Sequence, residues 1–378
     1  ELRLLQSRNE NTAYRRLLDQ NQYQGLETCT VDGLCGMVCP VDINSGTLVK
    51  HLRRENHSVI GNKIALLIAK NFRQTAATVK AALVIGTGIN KVLGKNTMHN
   101  LTKAFKKIIP AIPLWSNQLK PTGSYPKATM IEPGEKTIRV IYFPACISRT
   151  MGGSAAGKKN IVETFISISE KAGISFIIPD NIGGTCCGQI FSSKGYKDAL
   201  HFTANETIRK LWDWTEGGKL PVMLDFTSCT HTLKDIRPVL DPGNQLRFDQ
   251  LIILDSIDYL LDFVMPLSRI KKTTGSIVLH PVCSLQKMGL EGKFLKVAQQ
   301  LSDQVKIPLH KGCCGMAGDR GFLFPELTHS ATLPEASEVK EHDYAGYYST
   351  AKTCEIAMSE AVGKNYESIV YLLDECMV

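Results

Sequence analysis

Val140-Ile-Tyr-Phe-Pro-Ala-Cys146 and Ile277-Val-Leu-His-Pro-Val-Cys283 are one phrase written twice. Each is an apolar run of strand character with a proline two residues before a cysteine, and each leads into a Met-Gly pair, Met151-Gly152 or Met288-Gly289. Cys186-Cys187-Gly188 follows in the first copy and Cys313-Cys314-Gly315 in the second, and a single cysteine closes each, Cys229 or Cys354. A repeat of this kind decides architecture before local propensity does. It predicts two related α/β units, each with four cysteines in the order C…CCG…C. In the first unit, a helical pattern over residues 157–172 and an apolar run over 174–178 give the strand–helix–strand alternation of a parallel sheet. Residues 246–267 carry Leu251, Ile252, Leu254, Ile257, Leu260 and Leu261 and read as a helix connecting the units.

Upstream, Cys29-Thr-Val-Asp32-Gly-Leu-Cys35-Gly-Met-Val-Cys39-Pro40 follows the bacterial ferredoxin run C-x2-C-x2-C-x3-C-P, with Asp32 at the second cysteine position. Helical stretches at 15–18 and 48–54 flank it. In that run three ligands wrap one cubane while the fourth serves a sister cluster. The chain has no second such motif, and it begins at Glu1 without an initiator Met, so it reads as part of a longer or processed protein. Asp32 either supplies an oxygen ligand, leaves an iron position open, or is a turn residue beside Gly33. Zinc competes for these cysteines, but the x3 interval and the closing Cys-Pro favour iron–sulfur.

Twelve cysteines without a secretory signal point to thiolate metal chemistry in a reducing, cytoplasmic setting rather than to a disulfide framework. Adjacent side chains diverge, so Cys186-Cys187 and Cys313-Cys314 suit a multi-metal cluster on an irregular, glycine-flanked turn. Redox-active thiols forming a vicinal disulfide are the alternative. Gly152-Gly-Ser-Ala-Ala-Gly157-Lys158-Lys159 has the outline of a phosphate loop but lacks its Ser or Thr, and reads as a helix start. His280 and His342 read as structural, and Cys376 as an ordinary buried thiol.

With 378 residues, 43% hydrophobic and 21% charged, the chain has the composition of a folded, multidomain protein. Its net charge of +8 is concentrated: residues 56–131 hold 11 Lys or Arg and no Asp or Glu. Amphipathic helices here would lie on an anionic membrane surface, dock on an acidic partner, or present a solvated face. No membrane span is expected, because 81–90 is bounded by Lys80 and Lys91 and 108–119 contains Pro110 and Pro113. Aromatic residues do not interleave with the lysines, which argues against nucleic acid. The prolines and glycines of 121–126 and 133–134 mark a linker.

Tyr142-Phe-Pro-Ala-Cys146, His280-Pro-Val-Cys283, Gly312-Cys-Cys-Gly-Met-Ala-Gly-Asp-Arg-Gly-Phe322, Thr353-Cys-Glu-Ile-Ala357 and Ser368-Ile-Val-Tyr-Leu-Leu-Asp-Glu375 resemble the C-terminal half of FAD-linked D-lactate dehydrogenases, the flavin and iron–sulfur D-2-hydroxyacid dehydrogenases. The cysteine-rich domains also resemble those of heterodisulfide reductase, the glycolate oxidase iron–sulfur subunit and the anaerobic glycerol-3-phosphate dehydrogenase iron–sulfur subunit. The resemblance implies a fold of α/β class: a partial helical ferredoxin-type segment (1–58), a basic helical segment and linker (59–135), and two CCG domains (136–268 and 269–378). It implies Cys29, Cys35 and Cys39, with Asp32 as a candidate, as ferredoxin-type ligands. It assigns Cys146, Cys186, Cys187 and Cys229 to one CCG domain, and Cys283, Cys313, Cys314 and Cys354 to the other. The fuller pattern ends in C-x2-C, where this chain has Thr232 and Ala357, leaving four cysteines per domain. The implied cofactors are iron–sulfur clusters, with FAD in a flavin domain or subunit outside this sequence and zinc possible in a CCG domain. The implied partners are that flavin-binding dehydrogenase part and a quinone or other acceptor, with peripheral contact on the cytoplasmic membrane face possible. This part is expected to pass electrons rather than oxidise substrate by itself. A non-redox zinc module is the competing class.

Overall fold

A computed structural model describes residues 2–131, 134, 137–153 and 158–378. Positions 154–157 of the phosphate-like loop and Pro133 of the linker lie outside the described residues.

Two four-stranded parallel sheets organise the chain. The first comprises β1 (Arg139–Phe143), β2 (Ser175–Ile177), β3 (Val222–Leu224) and β4 (Ile253–Asp255), in the order β2-β1-β3-β4. The second comprises β5 (Ile277–Leu279), β6 (Val305–Lys306), β7 (Gly346–Ser349) and β8 (Tyr366–Ser368), in the order β6-β5-β7-β8. In strand number the two orders are the same. Val140 to Phe143 are all buried, as a parallel strand covered by helices on both faces requires, which is why its sequence is a continuous apolar run rather than an alternation. The helix Ile161–Lys171 covers one face with Val162, Phe165 and Ile168. It starts at Asn160, whose side chain accepts from the Glu163 N–H while Glu163 accepts from the Asn160 N–H, a reciprocal cap. Tyr142, Phe176 and Tyr259 stack at centroid separations of 4.7 and 5.0 Å and tie β1, β2 and the segment after β4 into one core.

The expected connecting helix over 246–267 is corrected. Residues 242–248 form a short helix, Ile253–Asp255 is the fourth strand of the first sheet, and a new helix starts at Ser256. The break is made by Asp255, which ends the strand and caps the helix by accepting from the Ile257 N–H at 3.0 Å. An apolar run shorter than two helical turns does not carry the period that separates strand from helix.

The N-terminal helices lie against both sheet units, and two buried arginines hold them there. Arg53, in the helix Ser45–Asn56, donates to the Leu26 and Cys29 carbonyls and, at 2.6 Å, to the Ser193 carbonyl of the first unit. Arg320 of the second unit donates to the carbonyl and carboxylate of Glu27.

The basic segment forms three helices, Val59–Lys70, Phe72–Leu93 and Thr97–Lys106. The first packs Ala65 and Ala69 against Phe191 and Ala199. The second, Phe72–Leu93, is by length and composition long and apolar enough to cross a membrane, which the interrupted runs 81–90 and 108–119 did not suggest, and little of it is buried. Lys80 and Lys91, read as boundaries, lie within one continuous helix, because a lysine has ordinary helix propensity and does not end a helix. Ile60, Ile64, Leu67, Val84, Ile85 and Val92 are exposed on these helices.

Candidate metal centres

In each sheet, chain crossovers run in opposite directions from the central pair of strands, β1/β3 and β5/β7, so a crevice opens at the carboxyl ends of those strands. The cysteines gather there. Cys146 opens the helix after β1, and Cys283 opens the helix after β5. Cys229 and Cys354 lie in the first turns of the helices after β3 and β7. The double cysteines come in on loops that follow β2 and β6. Thus three separated segments converge in each unit, and the second copies the first.

The loop geometry is copied as well. The Gly188 N–H points to the Cys186 sulfur at 3.4 Å, and the Gly315 N–H to the Cys313 sulfur at 3.4 Å. Both glycines have positive φ (87° and 76°), and a Cβ on Gly315 would meet the Leu327 carbonyl at 2.8 Å. The sulfurs of Cys187 and Cys229 are 3.0 Å apart, as are those of Cys314 and Cys354. The Cys146 thiol lies against Cys186 and the Cys283 thiol against Cys313. Cys186 also contacts Cys187, and Cys313 contacts Cys314, so the four thiols of each set follow one another in a chain of contacts. Among the described residues no three His, Cys, Asp or Glu side chains converge as a single metal ion needs. A donor set of four soft thiolates strung along such a chain, with no three converging on one point, fits a sulfur-ligated multi-iron centre better than one tetrahedral zinc.

Buried polar residues fix the first set. Asp225, at the end of β3, accepts from the Tyr142 hydroxyl at 2.6 Å and from the Ala145 N–H at 2.8 Å, which orients the turn into Cys146. Burial pushes its carboxyl pKa up. Arg149 donates to the Pro144 carbonyl at 3.0 Å and to the Ile182 carbonyl at 2.8 Å, joining the β1 turn to the double-cysteine loop.

The second set has Thr350 and Gln286 where the first has Asp225 and Arg149, and it differs further in a buried histidine. Where β1 ends in Phe143, β5 leads into His280, which is fully buried. Its Nδ1 lies 2.9 Å from both carboxylate oxygens of Glu335, itself buried. Its Nε2 meets no oxygen or nitrogen partner among the described residues and faces the Cys354 sulfur. Cys354 is drawn down to about 7 by hydrogen bonds from Cys314 and His280 against the effect of burial. Cys229 has the matching contact from Cys187 but no histidine, and burial with the neighbouring Cys146 and Cys186 pushes it up. His280, read from sequence as structural, is thus a buried partner of a candidate ligand.

The N-terminal motif lies on the turn into and along a short helix, Leu34–Val38. The Asp32 carboxylate accepts from the Leu34 N–H at 2.8 Å and from the Thr30 hydroxyl, as an Asx-type turn residue does. It also faces Cys313, and burial followed by the Cys313 charge raises its pKa. Cys35 is exposed and bonds to the Ser45 hydroxyl at 3.2 Å. No three of Cys29, Asp32, Cys35 and Cys39 form a set placed to hold a metal ion. The two sheet units also meet at their cysteine edges: Ser228 and Ser284, each beside a candidate ligand, touch at 3.2 Å. Cys376 is buried apart from both sets.

Sequence reasoning missed Asp225, Arg149, Glu335 and the role of His280. Only His280 left a signal, a polar residue breaking the apolar phrase at the position Phe143 holds in the other copy.

Residues 140–234 match the cysteine-rich (CCG) domain family. The chain is also similar to one of the subunits of the anaerobic glycerol-3-phosphate dehydrogenase of Escherichia coli K12, and to the same protein of E. coli O157:H7. Each is 21% identical over 203 residues, covering 51% of this chain and 49% of the relative. The chain thus spans about half the length of the curated relatives it matches.

Proposed function

We propose that this chain is the electron-transfer portion of a flavin-dependent dehydrogenase. The observation that carries the reading is the duplication of a four-thiol site at equivalent crevices of two sheets whose cysteine edges touch. Two redox centres built this way lie close enough to exchange electrons, and a single structural metal gives no reason for the second copy. Cys146, Cys186, Cys187 and Cys229 would hold one iron–sulfur centre, and Cys283, Cys313, Cys314 and Cys354 the other. Such centres supply one-electron carriers between a two-electron flavin and an acceptor. The protein supplies burial of the thiolates, most complete at Cys186, Cys187, Cys229, Cys314 and Cys354, and the hydrogen-bond donors described above. The ferredoxin-type segment and the division at 58, 135 and 268 belong to the same reading.

The motifs that resemble D-lactate dehydrogenases favour a D-2-hydroxyacid as the substrate of the flavin partner, with a quinone or other acceptor receiving the electrons. The similarity to part of a glycerol-3-phosphate dehydrogenase supports a second reading, in which the partner oxidises a polyol phosphate. The basic, apolar-faced helices between residues 59 and 106 support peripheral contact with the cytoplasmic membrane face, where each basic residue adds about 1 kcal/mol of attraction to anionic lipid. Mixing the reduced protein with candidate flavoproteins and following electron exchange tests the partner. Exchange with a D-2-hydroxyacid dehydrogenase flavoprotein supports the first reading, and exchange only with a glycerol-3-phosphate flavoprotein replaces it with the second.

A further inference from the structure

A cavity of ≈ 630 Å³ lies where the N-terminal helices and the two sheet units meet. Its floor is the second cysteine set, Cys283, Cys313, Cys314 and Cys354. Lys50 and Arg54 reach it from the helix Ser45–Asn56, Lys197 from the helix Lys197–Trp214, and Lys287 from the helix that Cys283 opens. None of these four cations has an ion-pair partner among the described residues. Lysines on neighbouring faces are paired, Lys194 with Asp319 at 2.7 Å, Lys293 with Asp258 at 2.6 Å, and Lys311 with Glu291, whereas these four converge on one enclosed space.

The acidic groups of the cavity do not balance them. Asp235 lies 3.3 Å from His231, and Asp32 is engaged by Thr30 and the Leu34 N–H. Lys50 and Lys287 are half-buried, and burial followed by the nearby Lys287 charge lowers the Lys50 pKa, only partly offset by Asp235. A fold that collects unneutralised cations in a partly enclosed space concentrates anions there. Phe191, Tyr196 and Leu200 give one wall an apolar surface, and the volume is that of a small-molecule site.

We infer that this cavity binds a small molecule bearing a carboxylate or phosphate group, held by Lys50 and Lys287 directly over the second cysteine set. Binding stands on the cavity alone. A role for the ligand as a reactant or effector of the second centre rests on the electron-transfer reading.

The test is calorimetric titration of the full chain at low ionic strength with inorganic phosphate and with malonate, using neutral malonamide as the control. Saturable binding of one equivalent of either anion, with none of malonamide, is expected. The anion of higher affinity identifies the preferred group. Lys50→Gln and Lys287→Gln should each weaken binding about tenfold or more, Lys287→Arg should retain it, and the remote Lys340→Gln should leave it unchanged. The arginine variant keeps the test valid if a glutamine variant folds poorly. Absence of saturable binding to the wild type, or glutamine variants that bind as tightly as the wild type, overturns the assignment. Iron measured on the same samples separates the two claims: a protein that binds anion but no iron keeps the cavity site and loses the electron-transfer reading.

Discussion

Replacing Glu335 by Leu should loosen the second sheet unit and leave the first intact. Glu335 is 2% exposed and its carboxylate faces Nδ1 of the fully buried His280 at 2.9 Å. Removing one member of a buried ion pair costs about 3–5 kcal/mol when the other stays charged. His280 can escape part of that by losing its proton, which still leaves a buried ring nitrogen without a partner, at about 1–3 kcal/mol. The expected loss is therefore about 2–4 kcal/mol, or a fall of roughly 30- to 1000-fold in protection of amides that exchange only on opening of the unit. Hydrogen exchange read by mass spectrometry on peptides covering β5 and β7 measures it, with peptides covering β1 and β3 as the internal control. Adding His280→Phe, the residue type the first unit has at Phe143, should restore most of the protection, because removing both polar partners leaves nothing unpaired. A single variant with unchanged protection, or a double variant as loose as the single, would refute the reasoning.

Asp255 caps a helix with one carboxylate oxygen buried and unpartnered, and burial pushes its pKa from 3.8 up to about 6. The folded protein therefore holds this proton more tightly than the unfolded chain, so the associated stability is full below about pH 4 and is lost as pH rises through about 6, a decline of about 3 kcal/mol. Asp255→Asn should gain on the wild type by up to that amount between pH 4 and 7 in denaturant titrations, and a pH-independent difference would contradict the sign. Cys314→Ser should remove metal from the second set while the first keeps its own, since each set is complete within its unit; metal analysis that finds both emptied points to one shared centre. Vesicles with anionic lipid should bind the protein at low salt and release it as salt rises, while equal binding to neutral vesicles would count against the basic helices as the contact.

The strands and the cysteine positions were legible because the phrase around Cys146 and Cys283 combines a buried-strand run with residues that recur at matching intervals. The run around Ile253 was not, since its apolar residues fit either period and only the Asp255 cap decides. Lys80 misled for a related reason: a charge on a long helix ends an apolar count without ending the helix. Asp32 was legible as a turn residue beside Gly33, one of the three readings its motif allowed, but no local pattern foretold that the fold would turn it toward Cys313. Glu335 lies inside a helix far along the chain from His280, so their pairing is a tertiary fact with no local signature.

The most direct test of the central claim is iron and acid-labile sulfide analysis of anaerobically purified protein, together with its visible spectrum before and after dithionite. Two redox centres on the two thiol sets predict several irons per chain, matching sulfide, and broad visible absorbance that reduction bleaches. A colourless protein with stoichiometric zinc and no sulfide would contradict the account.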